Sequence, residues 1–316
     1  MRLLIVMTLP EPIRSQYADR IRAAFPQIKL DVVDHRSKAD PYIGAADVLL
    51  TYGSMIDDAL LRKAVNLKWI HAFTAGTDGI DDLPSLRPDV LLTSTRGIHG
   101  APVSEAALMA MLALSRGFAR TVRHQDRRIW ERQHVTLLDG RTVGIFGLGA
   151  IGAVLAAKCK AMGMHVVGVD RLRREVAGVD RMLGWDEGVQ ALGEMDYVVV
   201  LLPSSRDTQR IVGARFLSAM KPTGYLINLG RGDVLDEQAL IDALRQERIA
   251  GASLDVFVRE PLPHDHPFWS LPNVIVTPHL GGVFDEYPSR AWPIIEQNIR
   301  RFLAGDAANL INLVAH

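Results

Sequence analysis

Thr142-Val-Gly-Ile-Phe-Gly147-Leu-Gly149-Ala-Ile-Gly152 decides the fold. Its first five residues have the apolar, β-branched character of a buried strand, three glycines follow, and 150–162 is patterned as a helix. Gly147 permits a tight turn, Gly149 lets a ligand approach the backbone, and Gly152 allows close packing of helix on strand. A second predicted strand then ends in Asp170. Strand, glycine turn, helix and acidic strand end together make a dinucleotide fingerprint, with pyrophosphate expected at the helix N-terminus, where free N–H groups and the dipole favour negative charge. Asp170 is the expected acceptor for the adenosine ribose hydroxyls, and its charge disfavours a 2′-phosphate. NAD is therefore the expected cofactor. Arg171, Arg173 and Arg174 follow at once. They form either a solvated basic turn or a grip for that phosphate, so NADP stays open.

Outward from this motif, short apolar runs alternate with helical patterns, the arrangement of βαβ units and parallel sheets. Strands are expected at 3–7, 30–33, 48–51, 69–73 and 90–93, with helices at 13–25 and 56–65. A second series has strands at 142–146, 165–170, 197–201, 224–228, 251–255 and 274–277. Between the series, 103–130 reads as one long helix, apolar nearly all round in its first half and basic in its second, placing it between domains or subunits. A last helix at 285–304, broken early by Pro288 and Pro293, is free to return to the first domain. The expected fold is α/β, with two doubly wound parallel-sheet domains. A Rossmann dinucleotide-binding domain (99–286) is inserted in a flavodoxin-like substrate domain (1–98 and 287–316).

Composition narrows the partners. The chain has 316 residues, enough for two domains, and its 48% hydrophobic residues can build more than one core. Lys+Arg and Asp+Glu balance at 36 each, which gives no electrostatic reason to expect nucleic acid or an anionic membrane. The single cysteine, Cys159, excludes an intrachain disulfide and a cysteine-based metal site, and no metal is expected. The N-terminus reads as a buried strand rather than a signal peptide, and the apolar stretch 106–114 is too short to span a bilayer. A cytoplasmic location follows as the expectation.

Three residues sit just past predicted strand ends of the second sheet, where open α/β folds bind ligands. Arg231 lies in Gly230-Arg231-Gly232, whose glycines leave its guanidinium room to swing. Glu260 precedes Pro261, and His279 precedes Leu280-Gly281-Gly282. Any one of them alone is unremarkable. All three fall on one sheet edge.

With Thr74-Ala-Gly-Thr-Asp78, Asn228-Leu-Gly-Arg-Gly232, Leu254-Asp-Val-Phe257, Glu260-Pro-Leu262 and Thr277-Pro-His-Leu-Gly-Gly282, the chain resembles the D-isomer-specific 2-hydroxyacid dehydrogenases. The matching stretches run through the whole chain in the family's order. The resemblance implies that Arg231, Glu260 and His279 are catalytic, and that the protein is a homodimer joined through its cofactor domains. It also implies that Ala150 and Ile151 meet the pyrophosphate, that Asp255 holds the nicotinamide carboxamide, and that Leu202, Leu229 and Gly281 touch the dinucleotide. Ala75 and Gly76 match a loop whose N–H groups receive the substrate carboxylate.

Physical chemistry assigns the same roles. A 2-oxo acid needs a cation that holds its carboxylate and polarises its ketone, which a planar guanidinium does in a bidentate way. Reduction of the ketone needs a proton donor recharged near neutral pH, the range of histidine. A carboxylate beside that histidine keeps it protonated. The expected activity is hydride transfer between NAD(P)H and a small 2-oxo or 2-hydroxy acid such as glyoxylate or hydroxypyruvate. The alternative is a corepressor-like NAD(H)-sensing protein on the same scaffold. His99 is either a structural hinge residue or a second titrating group. Tyr52 lines the substrate side-chain pocket or is packing, and Trp130, Trp269 and Trp292 fall near expected junctions, with Trp292 closing the pocket or filling the core.

Overall fold

The computed structural model of the chain describes residues 1–172 and 175–315. They divide into two units, Met1–Ile98 with Phe284–His316, and His99–Val283. In chain order the strands are β1 (Arg2–Val6), β2 (Lys29–Val33), β3 (Val48–Thr51), β4 (Trp69–Ala72), β5 (Leu91–Ser94), β6 (Thr142–Phe146) and β7 (His165–Val169). They continue with β8 (Arg181–Leu183), β9 (Tyr197–Val200), β10 (Tyr225–Asn228), β11 (Gly251–Leu254), β12 (Val274–Val276) and β13 (Leu313–Val314).

The first unit holds a sheet ordered β13-β5-β4-β3-β1-β2. Its strands are parallel except β13, which pairs antiparallel with β5 through Leu313↔Thr93. The β2-β1-β3-β4-β5 run is the flavodoxin-like order, whose crevice opens between β1 and β3. Alternation along β1 sends Leu4 and Val6 to one core and Leu3 and Ile5 to another, so both faces are covered. The helix Tyr287–Leu303 packs on the second face through Ala291, Ile295 and Ile299. Buried Asn298 ties it to the chain end, accepting from Ile311 N at 2.6 Å and donating to Ile311 O at 3.0 Å.

The second unit holds an all-parallel sheet ordered β12-β11-β10-β9-β6-β7-β8. This is the Rossmann order with an added seventh strand, and the order reverses between β6 and β9. Val143 and Ile145 enter one core with Leu155 and Cys159 of the helix Ala150–Ala161, while Phe146 enters the other with Phe216 and Leu240.

Two expectations for helices are corrected. The stretch 103–130 is not one helix but Gly100–Ser115 followed by Phe118–Asp126. Gly117 breaks it at φ 58°, and the Gln133 amide donates to Arg116 O at 3.3 Å and Gly117 O at 3.1 Å, the latter also accepting from Thr121 N of the second helix. The last helix is not broken by its prolines. Pro288 falls in its first turn, where no intrahelical N–H bond is lost, and Pro293 is carried inside. Among the described residues no helix is long and apolar enough to cross a membrane.

Candidate active site

The glycine turn after β6 is shaped by backbone contact. Gly147 has φ 105°, and a Cβ there would lie 3.0 Å from Leu201 O on the neighbouring strand end. A Cβ at Gly152 would lie 2.2 Å from Gly147 O, so the helix Ala150–Ala161 approaches the turn as only glycine allows. Nothing stands within 4 Å of the Cβ position of Gly149, the residue that caps the helix. The space beside Gly149, just before the helix start at Ala150, is thus open. Asp170, at the end of β7, braces the turn: Oδ2 accepts from Leu148 N at 2.8 Å and Oδ1 from Leu172 N at 2.9 Å. Arg171 stands in solvent, 3.8 Å from Asp207. Arg173 and Arg174 lie outside the described residues.

The edge formed by β10, β11 and β12 carries the three charged candidates. After β10, Asn228 builds an Asx turn, its Oδ1 accepting from Gly230 N at 3.1 Å and its Nδ2 donating to Arg231 O at 3.0 Å. Arg231 is thereby held in extended backbone, and its Nη1 donates to Gly230 O at 2.8 Å. The flanking glycines serve a different purpose from the one expected. A Cβ at Gly230 would lie 2.5 Å from Leu202 O and one at Gly232 1.9 Å from Phe257 C, so both are glycine for backbone packing rather than for guanidinium freedom.

After β11, Asp255 is almost completely buried, and its carboxylate is engaged on both oxygens. Oδ1 accepts from Thr277 Oγ1 at 2.5 Å and Leu280 N at 2.9 Å, and Oδ2 from Gly281 N at 2.8 Å. Its carbonyl accepts from His279 N at 2.8 Å. These bonds hold His279 at φ 54°, a left-handed conformation costing an ordinary residue about 1–3 kcal/mol. Leu229 approaches the same loop, with Cδ2 3.3 Å from the Cβ position of Gly281.

His279 Nδ1 meets Glu260 Oε2 at 2.7 Å, and Glu260 Oε1 accepts from Phe257 N at 2.9 Å. The carboxylate makes Nδ1 the donor toward it and leaves Nε2 facing away. The hydrogen bond to Glu260 raises the imidazole pKa; burial and Arg231 oppose it, and the net shift is upward. Partial burial works to raise the Glu260 pKa, but the bonds from His279 and Phe257 N prevail and hold the carboxyl below its ordinary value.

His99, 7% exposed, has its pKa lowered to about 4 by burial first and by Arg231 second, so it stays neutral around pH 7. Its ring lies against the histidine-bearing loop, 3.3 Å from the Cβ position of Gly282. Trp269 bonds Pro263 O through Nε1 at 2.8 Å, and Trp130 is 94% exposed.

In the first unit, Ala75 and Gly76 lie in the loop after β4, which Thr74 Oγ1 closes by donating to Gly76 O at 2.6 Å. Tyr52 follows β3, its half-buried ring 5.4 Å from that of Phe73, and burial raises its pKa. Trp292 packs beside the same core.

Asn228 and Thr277 were not singled out from the sequence as positioning groups. An Asn at a strand end before glycine is an Asx-turn signal that finds the first; nothing local marks the second.

Residues 108–281 match the family model for the D-isomer specific 2-hydroxyacid dehydrogenase NAD binding domain. A glyoxylate reductase of Korarchaeum cryptofilum is 31% identical over 81% of this chain and 80% of its own. A D-3-phosphoglycerate dehydrogenase of Methanocaldococcus jannaschii is 32% identical over 85% of this chain, which spans about half (52%) of that relative's length. Among solved structures, a D-isomer specific 2-hydroxyacid dehydrogenase family protein from Aeromonas salmonicida superposes with TM-score 0.89 at 34% identity, covering 99% of this chain and 98% of that one. An NADPH-dependent glyoxylate/hydroxypyruvate reductase from Sinorhizobium meliloti, in complex with NADP and sulfate, superposes with TM-score 0.84 at 29% identity, covering 99% and 98%. The chain therefore belongs to the D-isomer-specific 2-hydroxyacid dehydrogenases, and its second unit carries that family's NAD-binding domain.

Proposed function

We propose that the protein reduces a small 2-oxo acid to the D-2-hydroxy acid with a nicotinamide dinucleotide, or runs the reverse reaction. The observation that carries this reading is the His279–Glu260 contact at 2.7 Å, within a sheet edge that also bears Arg231. The names of the relatives support the substrate class, and glyoxylate and hydroxypyruvate are the first candidates.

In this reading the open glycine turn at 147–152 holds the pyrophosphate, with Ala150 and Ile151 donating N–H groups. Leu202, Leu229 and Gly281 line the dinucleotide. Asp170 takes the ribose hydroxyls with the lone pairs left beyond Leu148 and Leu172. Asp255 adds the bracing of the His279 loop to any contact with the carboxamide. The bound nicotinamide supplies the hydride. Arg231 binds the carboxylate and polarises the ketone, and His279 Nε2 delivers the proton to the developing alkoxide. Glu260 keeps that proton on the imidazole near neutral pH. Ala75 and Gly76 add N–H donors for the substrate carboxylate, and Tyr52 lies near the substrate side chain.

The same reading takes NAD as the physiological cofactor, with NADP as the alternative, and a cytoplasmic setting for the free thiol of Cys159. It takes a second copy of the chain as partner. Met109, Leu112, Phe118, Val122, Ile129, Trp130 and Leu137 are exposed on the two helices 100–115 and 118–126 and the stretch after them, apolar surface that a second copy would cover. The test of the activity is a panel of 2-oxo acids offered with NADH and with NADPH, followed by loss of the reduced-nicotinamide absorbance. Turnover of at least one small 2-oxo acid is expected. Dinucleotide binding without turnover of any of them overturns the reading.

A further inference from the structure

A second carboxylate–histidine pair, Glu237 and His266, meets the ends of the loop that carries Glu260. Glu237 stands in the first turn of the helix Glu237–Arg245, whose N-cap, Asp236, accepts from Ala239 N at 3.1 Å. Glu237 Oε1 accepts from Val258 N at 3.0 Å, and Oε2 lies 3.5 Å from His266 Nε2. Val258 and His266 are the two ends of the loop 258–266, which carries Glu260. One side chain, from an element far away in sequence, therefore touches both ends of the loop that presents the catalytic carboxylate.

The proton count gives this contact a fixed sense. His266 Nδ1 accepts from Phe268 N at 3.3 Å, so its lone pair is in use and the ring proton of the neutral imidazole sits on Nε2, facing Glu237. The His266 ring packs 4.7 Å from the Phe268 ring, which keeps it in this orientation. The polar N–H of His266 therefore faces the Glu237 carboxylate, an electrostatic contact at 3.5 Å. Both side chains are largely shielded, at 17% and 19% exposed, whereas those of Glu260 and His279 are 36% and 50% exposed. Most of the loop faces solvent: Val258, Arg259, Glu260, Pro261, His264 and Asp265 are exposed. Such a segment has little burial to order it, and a clasp at its ends lowers the conformational freedom of what lies between.

We propose that Glu237 is a positioning residue that acts through Glu260, closing the loop 258–266 so that Glu260 stays against His279. The inference rests on the role given to Glu260 above, and it assigns Glu237 and His266 no contact with substrate or dinucleotide. His279 is faced by Glu260, Arg231 and Asp255. Of these only Glu260 rides on the clasped loop. Loosening the clasp therefore weakens the influence that raises the imidazole pKa and leaves the other two in place.

The test reads the His279 titration by NMR of the imidazole carbons, a measurement that needs no turnover. It compares the full chain with Glu237→Ala, Glu237→Gln and Glu260→Gln. Glu237→Gln keeps an acceptor for Val258 N and loses the charge facing His266, so it carries the test if Glu237→Ala fails to fold. The His279 midpoint should fall in Glu237→Gln and fall further in Glu237→Ala. In a Glu260→Gln background the same substitutions should move it no further. With a good substrate, kcat should drop about tenfold in Glu237→Ala with KM for the 2-oxo acid little changed, since a misplacement of about 1 Å costs up to a hundredfold. A midpoint unchanged in both Glu237 variants, or shifted equally in both backgrounds, overturns the proposal. Failure of the wild type to reduce any 2-oxo acid, with the NMR shifts as expected, strikes the proposed function instead.

Discussion

His279 Nδ1 and Glu260 Oε2 lie 2.7 Å apart, and each moves the other's pKa, the imidazole upward and the carboxyl downward. A raised imidazole pKa contributes stability below its unfolded value and loses it as pH rises through the folded one. A lowered carboxyl pKa contributes above its unfolded value and loses it as pH falls through the folded one. The pair is therefore intact from just above the carboxylate range to the raised imidazole value. Glu260→Gln should move the high-pH limb of the reduction rate to lower pH, a loss of about tenfold per unit of displacement on that limb. A pH–rate profile scaled down without displacement would make Glu260 a scaffold residue.

Asp255→Asn should disturb the same acid from behind. An amide in place of the carboxylate turns an NH₂ toward N–H groups that need an acceptor, and the strained turn at His279 loses part of its hold. Turnover should fall by about 10²-fold, in the range of losing the acid itself, which is about 10²–10⁴. The His279 midpoint should fall too, because the negative charge of Asp255 helps raise it. Wild-type kinetics in a folded Asp255→Asn protein would refute the bracing role.

Arg231→Lys retains the charge and loses the planar fork. KM for the 2-oxo acid should rise and kcat fall, each by about tenfold or more, since the contact strengthens as the alkoxide develops. NADH affinity and melting temperature should change little. Parallel losses of melting temperature and activity would identify Arg231 as a structural group.

Asp170 serves the glycine turn as well as the proposed ribose. Asp170→Ala should raise the NADPH-to-NADH ratio of kcat/KM by about tenfold, as the repulsion of a 2′-phosphate disappears. It should also lower both absolute values, because the acceptor offered to Leu148 N goes with it. A wild-type preference for NADPH of tenfold or more would contradict the NAD assignment.

The apolar surface around Trp130 makes a separate prediction. Light scattering should find a dimer in wild type and a monomer, or at least a hundredfold weaker dimer, in Phe118→Asp/Trp130→Asp, since two buried charges facing a like pair are strongly unfavourable. A wild-type monomer at micromolar concentration would remove the second copy from the proposal.

By itself the sequence determined the two sheets, the glycine turn and the strand ends bearing Arg231, Glu260 and His279. These features follow from what a short window contains: β-branched runs, helical spacing, and glycine where a turn reverses direction. Tertiary structure decided the rest. Pro293 stays inside a helix because Ala291, Ile295 and Ile299 bury that helix against the first unit's sheet. Gly117 ends another because Gln133, beyond the second helix, reaches back to its carbonyls. The two residues of β13 have no periodicity to detect, and their pairing with β5 depends on where the returning chain arrives. The engagement of Asp255 with Thr277, Leu280 and Gly281, like that of Glu237 with Val258 and His266, joins residues that no window holds together. Local preference is written into neighbouring residues, whereas a hydrogen bond across the fold exists only once the packed sheets have brought donor and acceptor within about 3 Å.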